Sequence, residues 1–270
     1  MTWDGDAIDL DAYFARIGHD GTADGGLGTL RKLQRGHVTS IPFENLEVML
    51  GRPVPLDVAA VQDKLVRRPR GGWCFEHVRL FAGVLERLGY DFVAVHGRVT
   101  LGSDVRRPAT HALLRVLVKG EPWICDVGFG GGPLEPIRLR DGEEVDQDGW
   151  RFRVALGATA TGGELWTLHQ HGPDGWARRH EFTLEPQYPI DFEVGNHFVA
   201  THPRSPFAAR PYVQRFAADV HHALDALTLT SLRPDGGREV RELDVRERPR
   251  VLEEVFGIVL DPEDAAKLGS

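Results

Sequence analysis

A chain of 270 residues, 41% hydrophobic and 27% charged, has ample apolar matter for a buried core, which excludes wholesale disorder. Its 40 acidic against 32 basic residues give a net charge of -8, so there is no electrostatic reason to bind nucleic acid or an anionic membrane. No secretory signal pattern and no long apolar run is present, and two cysteines cannot make a disulfide framework, so a reducing, cytoplasmic setting is expected.

The first predicted helix has Leu10, Tyr13, Phe14 and Ile17 on one face, a cap at Asp9 or Asp11 and a stop at Gly18. Leu30, Leu33 and Val38 predict a second. Pro42 makes Ile41 to Leu46 an extended segment. Asp57 opens a third helix from Val58 to Val66, which ends before Pro69. A strongly amphipathic run follows from Trp73 to Leu88, with Val78, Phe81, Val84, Leu85 and Leu88 as its apolar stripe and Gly89 as its stop.

From about residue 92 the apolar period becomes that of strands: 92–95, 112–118, 123–127, 151–156 and 165–169, punctuated by Gly, Pro and Asp. This reads as an antiparallel meander or barrel. From about Pro186 the pattern is mixed, with Tyr212-Val213, Ala226 to Leu232, a turn at Asp235-Gly236-Gly237 and a helix around Val251 to Phe256. The tail, Asp261 to Ser270, is expected to be loosely held. Helices first, sheet second and a mixed tail give an α+β chain.

The sharpest local feature is Arg70-Gly71-Gly72-Trp73-Cys74-Phe75-Glu76-His77. The two glycines permit close backbone approach, and Cys74 falls in the first turn of a helix. Free N–H groups and the helix dipole there favour an anion, so the thiol pKa at that position is expected to fall. The competing reading is a small buried hydrophobe.

A thiol nucleophile needs a base and a group to orient the base. Of 12 histidines, His111 stands out because it opens an apolar strand. Asp126 sits in the next predicted strand, where an unpaired carboxylate is costly. A two-residue turn centred on Gly120-Glu121 pairs residues whose numbers sum to 241 and sets His111 opposite Gly130. Asp126 and His111 then share a face but lie too far apart for contact, so a bulge or another turn centre is required. Cys125 has the opposite parity and points away.

His221-His222 are adjacent and cannot share a strand face. His197 and His202 straddle no third ligand, and His169 and His171 lie beside a turn. No cysteine pair has metal spacing, so no metal is expected. The run Gly128 to Gly132 lacks the partners of a P-loop or a dinucleotide fingerprint; it reads as a turn or as a backbone cradle for a ligand.

Together these segments resemble the arylamine N-acetyltransferase family. The resemblance is carried by Arg16-Ile17-Gly18, Ile41 to Leu46, Arg70 to Glu76, Thr110 to Leu114, Asp126 to Gly130 and Ser205-Pro206-Phe207, in that order through most of the chain. It implies a helical bundle over residues 1–88, a β-barrel over 89–190 and an α/β lid over 191–270, with a core like that of cysteine proteases. It also implies Cys74 as nucleophile, His111 as base and Asp126 as orienting acid, the three residues reached above from their chemistry.

The implied reaction moves an acetyl group from acetyl-coenzyme A to a small aromatic amine through an acetyl-cysteine, with ping-pong kinetics. Coenzyme contacts would fall on Thr110, Gly130, Phe198 and Ser205. Phe43 and Phe129 would form an apolar slot for the amine ring. Three rivals share parts of this pattern: a macrolactam-forming amide synthase fed by an acyl carrier protein, a papain-like cysteine hydrolase, and a non-catalytic binding protein.

Overall fold

A computed structural model describes residues 2–269 of the chain. Helix α1 (Leu10–Ile17) starts where the Asp9 carboxylate accepts from the Ala12 N–H and stops at Gly18, whose φ of 66° suits glycine. Helix α2 (Leu27–Ser40) leads into β1 (Phe43–Glu44) and α3 (Leu46–Met49). Helix α4 (Val58–Gln62) passes into a π turn, Asp63–Arg67, and Arg68 before Pro69 is extended. Helix α5 (Cys74–Arg87) is the hub. The sequence predicts a single apolar stripe for it, yet every residue from Cys74 to Leu85 is buried. Its polar members are satisfied internally: buried Arg79 donates to the Leu56 and Trp3 carbonyls and to the Asp4 carboxylate.

Strands β2 (Asp91–Val99), β3 (His111–Val118), β4 (Glu121–Cys125), β5 (Ile137–Arg138), β6 (Glu144–Gln147), β7 (Trp150–Ala158), β8 (Glu164–Gly172) and β9 (Gly175–Phe182) follow. Helix α6 (Pro189–Thr201), β10 (Tyr212–Phe216), β11 (His221–Asp225), β12 (Thr228–Leu232), β13 (Arg238–Glu242), α7 (Arg248–Glu254) and α8 (Pro262–Leu268) complete the chain. Among the described residues, an eight-stranded antiparallel sheet runs β5-β4-β3-β2-β9-β8-β7-β6 and curls into a nearly closed barrel. Its two end strands are consecutive in the chain, so the short link between them draws the edges together. A five-stranded sheet, β1-β10-β11-β12-β13, takes its first strand from the N-terminal half.

One apolar core runs from bundle to barrel through Tyr13, Leu30, Phe75, Phe81, Leu113 and Phe152. A second lies under the five-stranded sheet around Val213, Leu224, Leu252, Phe256 and Ile258. Among the described residues no helix is long and apolar enough to cross a membrane.

Two expectations need correction. The β3–β4 turn is centred on Lys119-Gly120, with Val118 opposite Glu121, so paired numbers sum to 239. Both turn residues have positive φ, 52° and 80°, the geometry that suits a two-residue hairpin. The tail is not loose over residues 262–268: it forms α8, with Asp264 and Leu268 buried and Asp264 accepting two hydrogen bonds from Arg52 at 2.6 Å. Ser270 lies outside the described residues.

A buried hydrogen-bonded chain ties the bundle to the loop before Cys74. The Gly72 and Pro42 carbonyls only accept, so His77 Nε2 carries the proton that reaches them at 3.0 and 3.2 Å. His77 Nδ1 then accepts from His37 Nε2 at 2.8 Å, and His37 Nδ1 accepts from the Tyr13 hydroxyl at 3.0 Å. The chain is complete only with both rings neutral. Burial lowers His77 to about 4 and His37 well below its ordinary value, with the charges of His77 and Arg16 adding to the effect on His37.

The unfolded chain binds protons on these rings below about pH 6.5, where the folded protein refuses them. Stability is therefore complete above about pH 6.5 and falls as pH drops toward 4. Urea unfolding at pH 7 and 5 checks this: His77→Gln is expected to lose about 1–3 kcal/mol at pH 7, and to lose less than the parent on acidification.

Candidate active site

Cys74 is the first residue of α5, whose start is fixed by the Glu76 carboxylate accepting from the Trp73 N–H at 3.1 Å. Glu76 is itself paired with buried Lys64 at 2.8 Å. Arg70, also buried, bonds to Glu44 at 2.8 Å and Glu47 at 2.9 Å. These side chains anchor the loop that delivers the cysteine. Trp73 is held from the far side, where its indole N–H donates to Asn196 of α6 at 2.8 Å.

His111 opens β3, and Asp126, which the sequence reading places inside a strand over 123–127, follows immediately after β4. The register that sums to 239 places Asp126 beside Leu113, two residues from His111 on the same face. No bulge is needed; the shifted turn centre alone brings the pair together. His111 Nε2 lies 3.0 Å from both Asp126 oxygens. The other ring nitrogen, Nδ1, is left for the sulfur, and the Cys74 side chain favours the charged form of this ring. The Cys74 thiol donates to the Thr110 carbonyl at 3.5 Å. Cys125 is fully buried, and burial pushes its thiol well up.

Burial would lower His111, but the Asp126 charge and hydrogen bond, with Cys74 adding, raise it to about 10. Burial would raise Asp126, but His111 and a second imidazole, His180, hold it well below the carboxylate range. His180 lies on β9, and its Nε2 is 2.9 Å from Asp126 Oδ2. Ligand-capable atoms of His111, Asp126 and His180 fall within 4.8 Å of one another, and each is engaged in these hydrogen bonds. The sequence reading missed His180. The signal was present: Pro173-Asp174-Gly175 is a turn motif after a predicted strand, and a hairpin partner should follow it.

A cavity of about 570 Å³ opens over Cys74 and His111. Thr110, Phe198, Ser205, Phe43 and Phe129, all singled out from sequence, lie on its wall. Ser205 is buried and spends its hydroxyl on the Val199 carbonyl at 2.6 Å. Phe129 and His111 form a T-shaped pair at 5.1 Å, and the Arg179 guanidinium lies 4.1 Å over the Phe129 ring. Phe43 meets Phe207 and Tyr212 at 5.4 and 6.1 Å. Gly130 lies off this wall, where Gln214 and Phe43 fill the space a side chain would need. The run Gly128 to Gly132 is thus packed against neighbouring side chains and backbone: Gly131 faces His221 and Arg179, and Gly132 faces Phe216.

A helix-borne cysteine facing a barrel-borne histidine and aspartate is the cysteine-protease-like class of α+β fold. The N-acetyltransferase family model matches residues 26–265. The arylamine N-acetyltransferase of Mycolicibacterium smegmatis is 39% identical, over 87% of this chain and 86% of that protein. The arylamine N-acetyltransferase of Escherichia coli is 35% identical, over 93% and 89%. The crystal structure of the Nocardia farcinica arylamine N-acetyltransferase matches with a TM-score of 0.97 at 53% identity, over 100% of this chain and 96% of that one. That of the Mycobacterium marinum arylamine N-acetyltransferase in complex with CoA matches at 0.87 and 33%, over 97% and 98%. This chain belongs to the arylamine N-acetyltransferase family.

The contact that sets the sulfur against the barrel is made by Gly128. A Cβ there would stand 2.6 Å from Cys74 Cα and 3.0 Å from its Cβ. The backbone on both sides is fixed, so Gly128→Ala is expected to push the thiol off His111. Alkylation of Cys74 should slow by about tenfold or more, and retention of the parental rate would refute the role of this contact.

Proposed function

We propose that this chain transfers an acetyl group from acetyl-coenzyme A to a small aromatic amine, with Cys74 as nucleophile, His111 as proton carrier and Asp126 as orienting carboxylate. The placing of Cys74 and His111 together on the wall of the 570 Å³ cavity, with Asp126 bonded behind His111, carries this reading. Family membership supports it.

His111 takes the Cys74 proton, and Asp126 fixes the ring and stabilises its charge. The thiolate attacks the thioester carbonyl carbon, and N–H groups of the first turn of α5 receive the developing oxyanion. The C–S bond to coenzyme A breaks, the leaving thiolate takes the proton from His111, and acetyl-Cys74 remains. The amine nitrogen then attacks the acetyl carbonyl, His111 removes its proton, and the Cys74 thiolate departs as the amide forms. Exchange of one thioester for another is nearly balanced; amide formation drives the second half.

The cavity suits a polyanionic donor. In a chain of net charge -8, its wall carries Arg107, Arg204 and Arg210 against a single acid, Asp225. Thr110, Phe198 and Ser205 are the proposed coenzyme contacts, and Phe43 and Phe129 the proposed walls of the amine slot. The amide synthase and hydrolase readings are not favoured by the relatives, and a carrier-protein donor finds no support among them.

Acetyl-coenzyme A alone should leave one acetyl group on the protein, located on Cys74 by mass spectrometry, and an arylamine should discharge it. Cys74→Ala should abolish both. Asp126→Asn, which keeps the shape but loses the charge, should cut turnover by about 10³–10⁴-fold. A Cys74→Ala variant that still acetylates an arylamine would end the proposal.

A further inference from the structure

Asp126 has two imidazole partners, and the proposed reaction uses only one. We propose that His180 is a positioning residue of this site: a neutral Nε2–H donor that locks the Asp126 carboxylate in the orientation that His111 requires. The inference rests on the Cys74–His111–Asp126 reading and extends it by one residue.

Four observations converge on it. The first is the bond itself: Asp126 Oδ2 accepts from His180 at 2.9 Å while both oxygens face His111 Nε2 at 3.0 Å. Rotation of the carboxylate would break the His180 bond, so the two rings together fix its plane. Second, the ring is fully buried, and its Nδ1 has no hydrogen-bond partner among the described residues. A proton on Nδ1 would be stranded, so the ring's single proton sits on Nε2, facing the carboxylate.

Third, the barrel sets the two rings side by side. Strand β2 lies between β3 and β9, and its Gly97 pairs with His111 on one side and Phe182 on the other. A Cβ on Gly97 would lie 3.3 Å from Leu113 Cδ2 and in ordinary contact with both rings, His111 Cδ2 at 3.4 Å and His180 Nδ1 at 3.6 Å, so the two imidazoles flank this one residue. The two rings approach to 4.9 Å between centroids. Fourth, the surroundings keep the ring uncharged. Burial, with His111 and Arg179 as nearby cations, outweighs the pull of Asp126 and lowers His180 to about 4; the rest of its contacts include the rings of Phe129 and Phe182. A charged ring would compete with His111 for the single negative charge. A neutral one orients that charge without consuming it.

Two substitutions separate donation from packing. His180→Gln puts an amide N–H close to Nε2 and cannot ionise. His180→Phe fills the ring's volume and donates nothing. His180 is not on the cavity wall, so KM for acetyl-coenzyme A should stay within about twofold in both. In His180→Phe, kcat and the rate of Cys74 alkylation by iodoacetamide should both fall by about tenfold or more, the weight of a hydrogen bond to a charged group. In His180→Gln both should stay within about threefold of the parent.

A folded His180→Phe with parental kcat and alkylation rate would overturn the proposal. So would a His180→Gln that drops tenfold while keeping the parental unfolding midpoint, and this arm decides the matter even where His180→Phe fails to fold. Alkylation needs no acetyl donor, so the outcome does not depend on the substrate. Should the parent's Cys74 react no faster than that of a His111→Ala variant, the triad reading itself fails and takes this one with it.

Discussion

A carboxylate with 1% exposure is the constraint around which the molecule is arranged. Asp126 cannot sit there unpaired; an isolated buried charge costs several kcal/mol. Its partners come from β3 and β9, on either side of β2, so satisfying one side chain fixes three strands of the barrel against the segment leaving β4. The same segment carries Gly128 to the backbone of Cys74 two residues later. Charge satisfaction and sulfur placement are thus two ends of one short peptide. The reactive groups lie on a helix and on strand ends, where backbone position is better held than in an open loop.

Beneath the cysteine a second set of charges is buried. Glu44, Glu47 and Glu76 face Lys64 and Arg70, and Arg52 approaches Glu47 at 3.9 Å on the rim. Burial would lower Lys64, but Glu44 and Glu76 raise it, so it remains charged. Such a network is weak evidence of stability, because desolvation offsets most of the attraction. What it supplies is geometry. Lys64 and Arg70 between them reach all three carboxylates, and these contacts hold residues 70–73 in place. Arg52 extends it to Asp264, which is why the last helix docks where composition suggested a loose end.

The helix at Cys74 was legible because its signals are local: paired glycines, an apolar stripe and a terminal Gly89. The pairing of His111 with Asp126 was legible in parity alone. Its register was not, because the turn uses Lys119 at φ 52°, a conformation that few non-glycine residues adopt and that favours reading Gly120-Glu121 as the centre. Strand β9 was hidden by its run Arg178-Arg179-His180-Glu181, which reads as a solvated loop until His180 and Phe182 turn inward together. Helix α6 opens on Pro189 and carries Gly195 in its middle. The reason is distant in sequence: a side chain at Gly195 would meet the Phe75 ring at 2.5 Å. Contacts of that range leave no trace in a local pattern. The arginines of the cavity wall come from two distant segments, Arg107 from one and Arg204 and Arg210 from the other, which meet only in the folded chain.

The two imidazoles on Asp126 show how little of the chemistry is set by burial alone. Both are buried and both bond to the same carboxylate, yet His111 is raised to about 10 and His180 is lowered to about 4. What differs is the other side of each ring. His111 has the Asp126 charge on one side, and the Cys74 sulfur adds to the pull toward a second proton. His180 has Arg179 beside it and an Nδ1 with no acceptor among the described residues, so a second proton there has nothing to bind. Desolvation opposes charge on both rings; on His111 the neighbours overcome it, and on His180 they do not. One carboxylate can therefore hold a charged ring and a neutral ring together, the first to carry a proton and the second to keep the acceptor still.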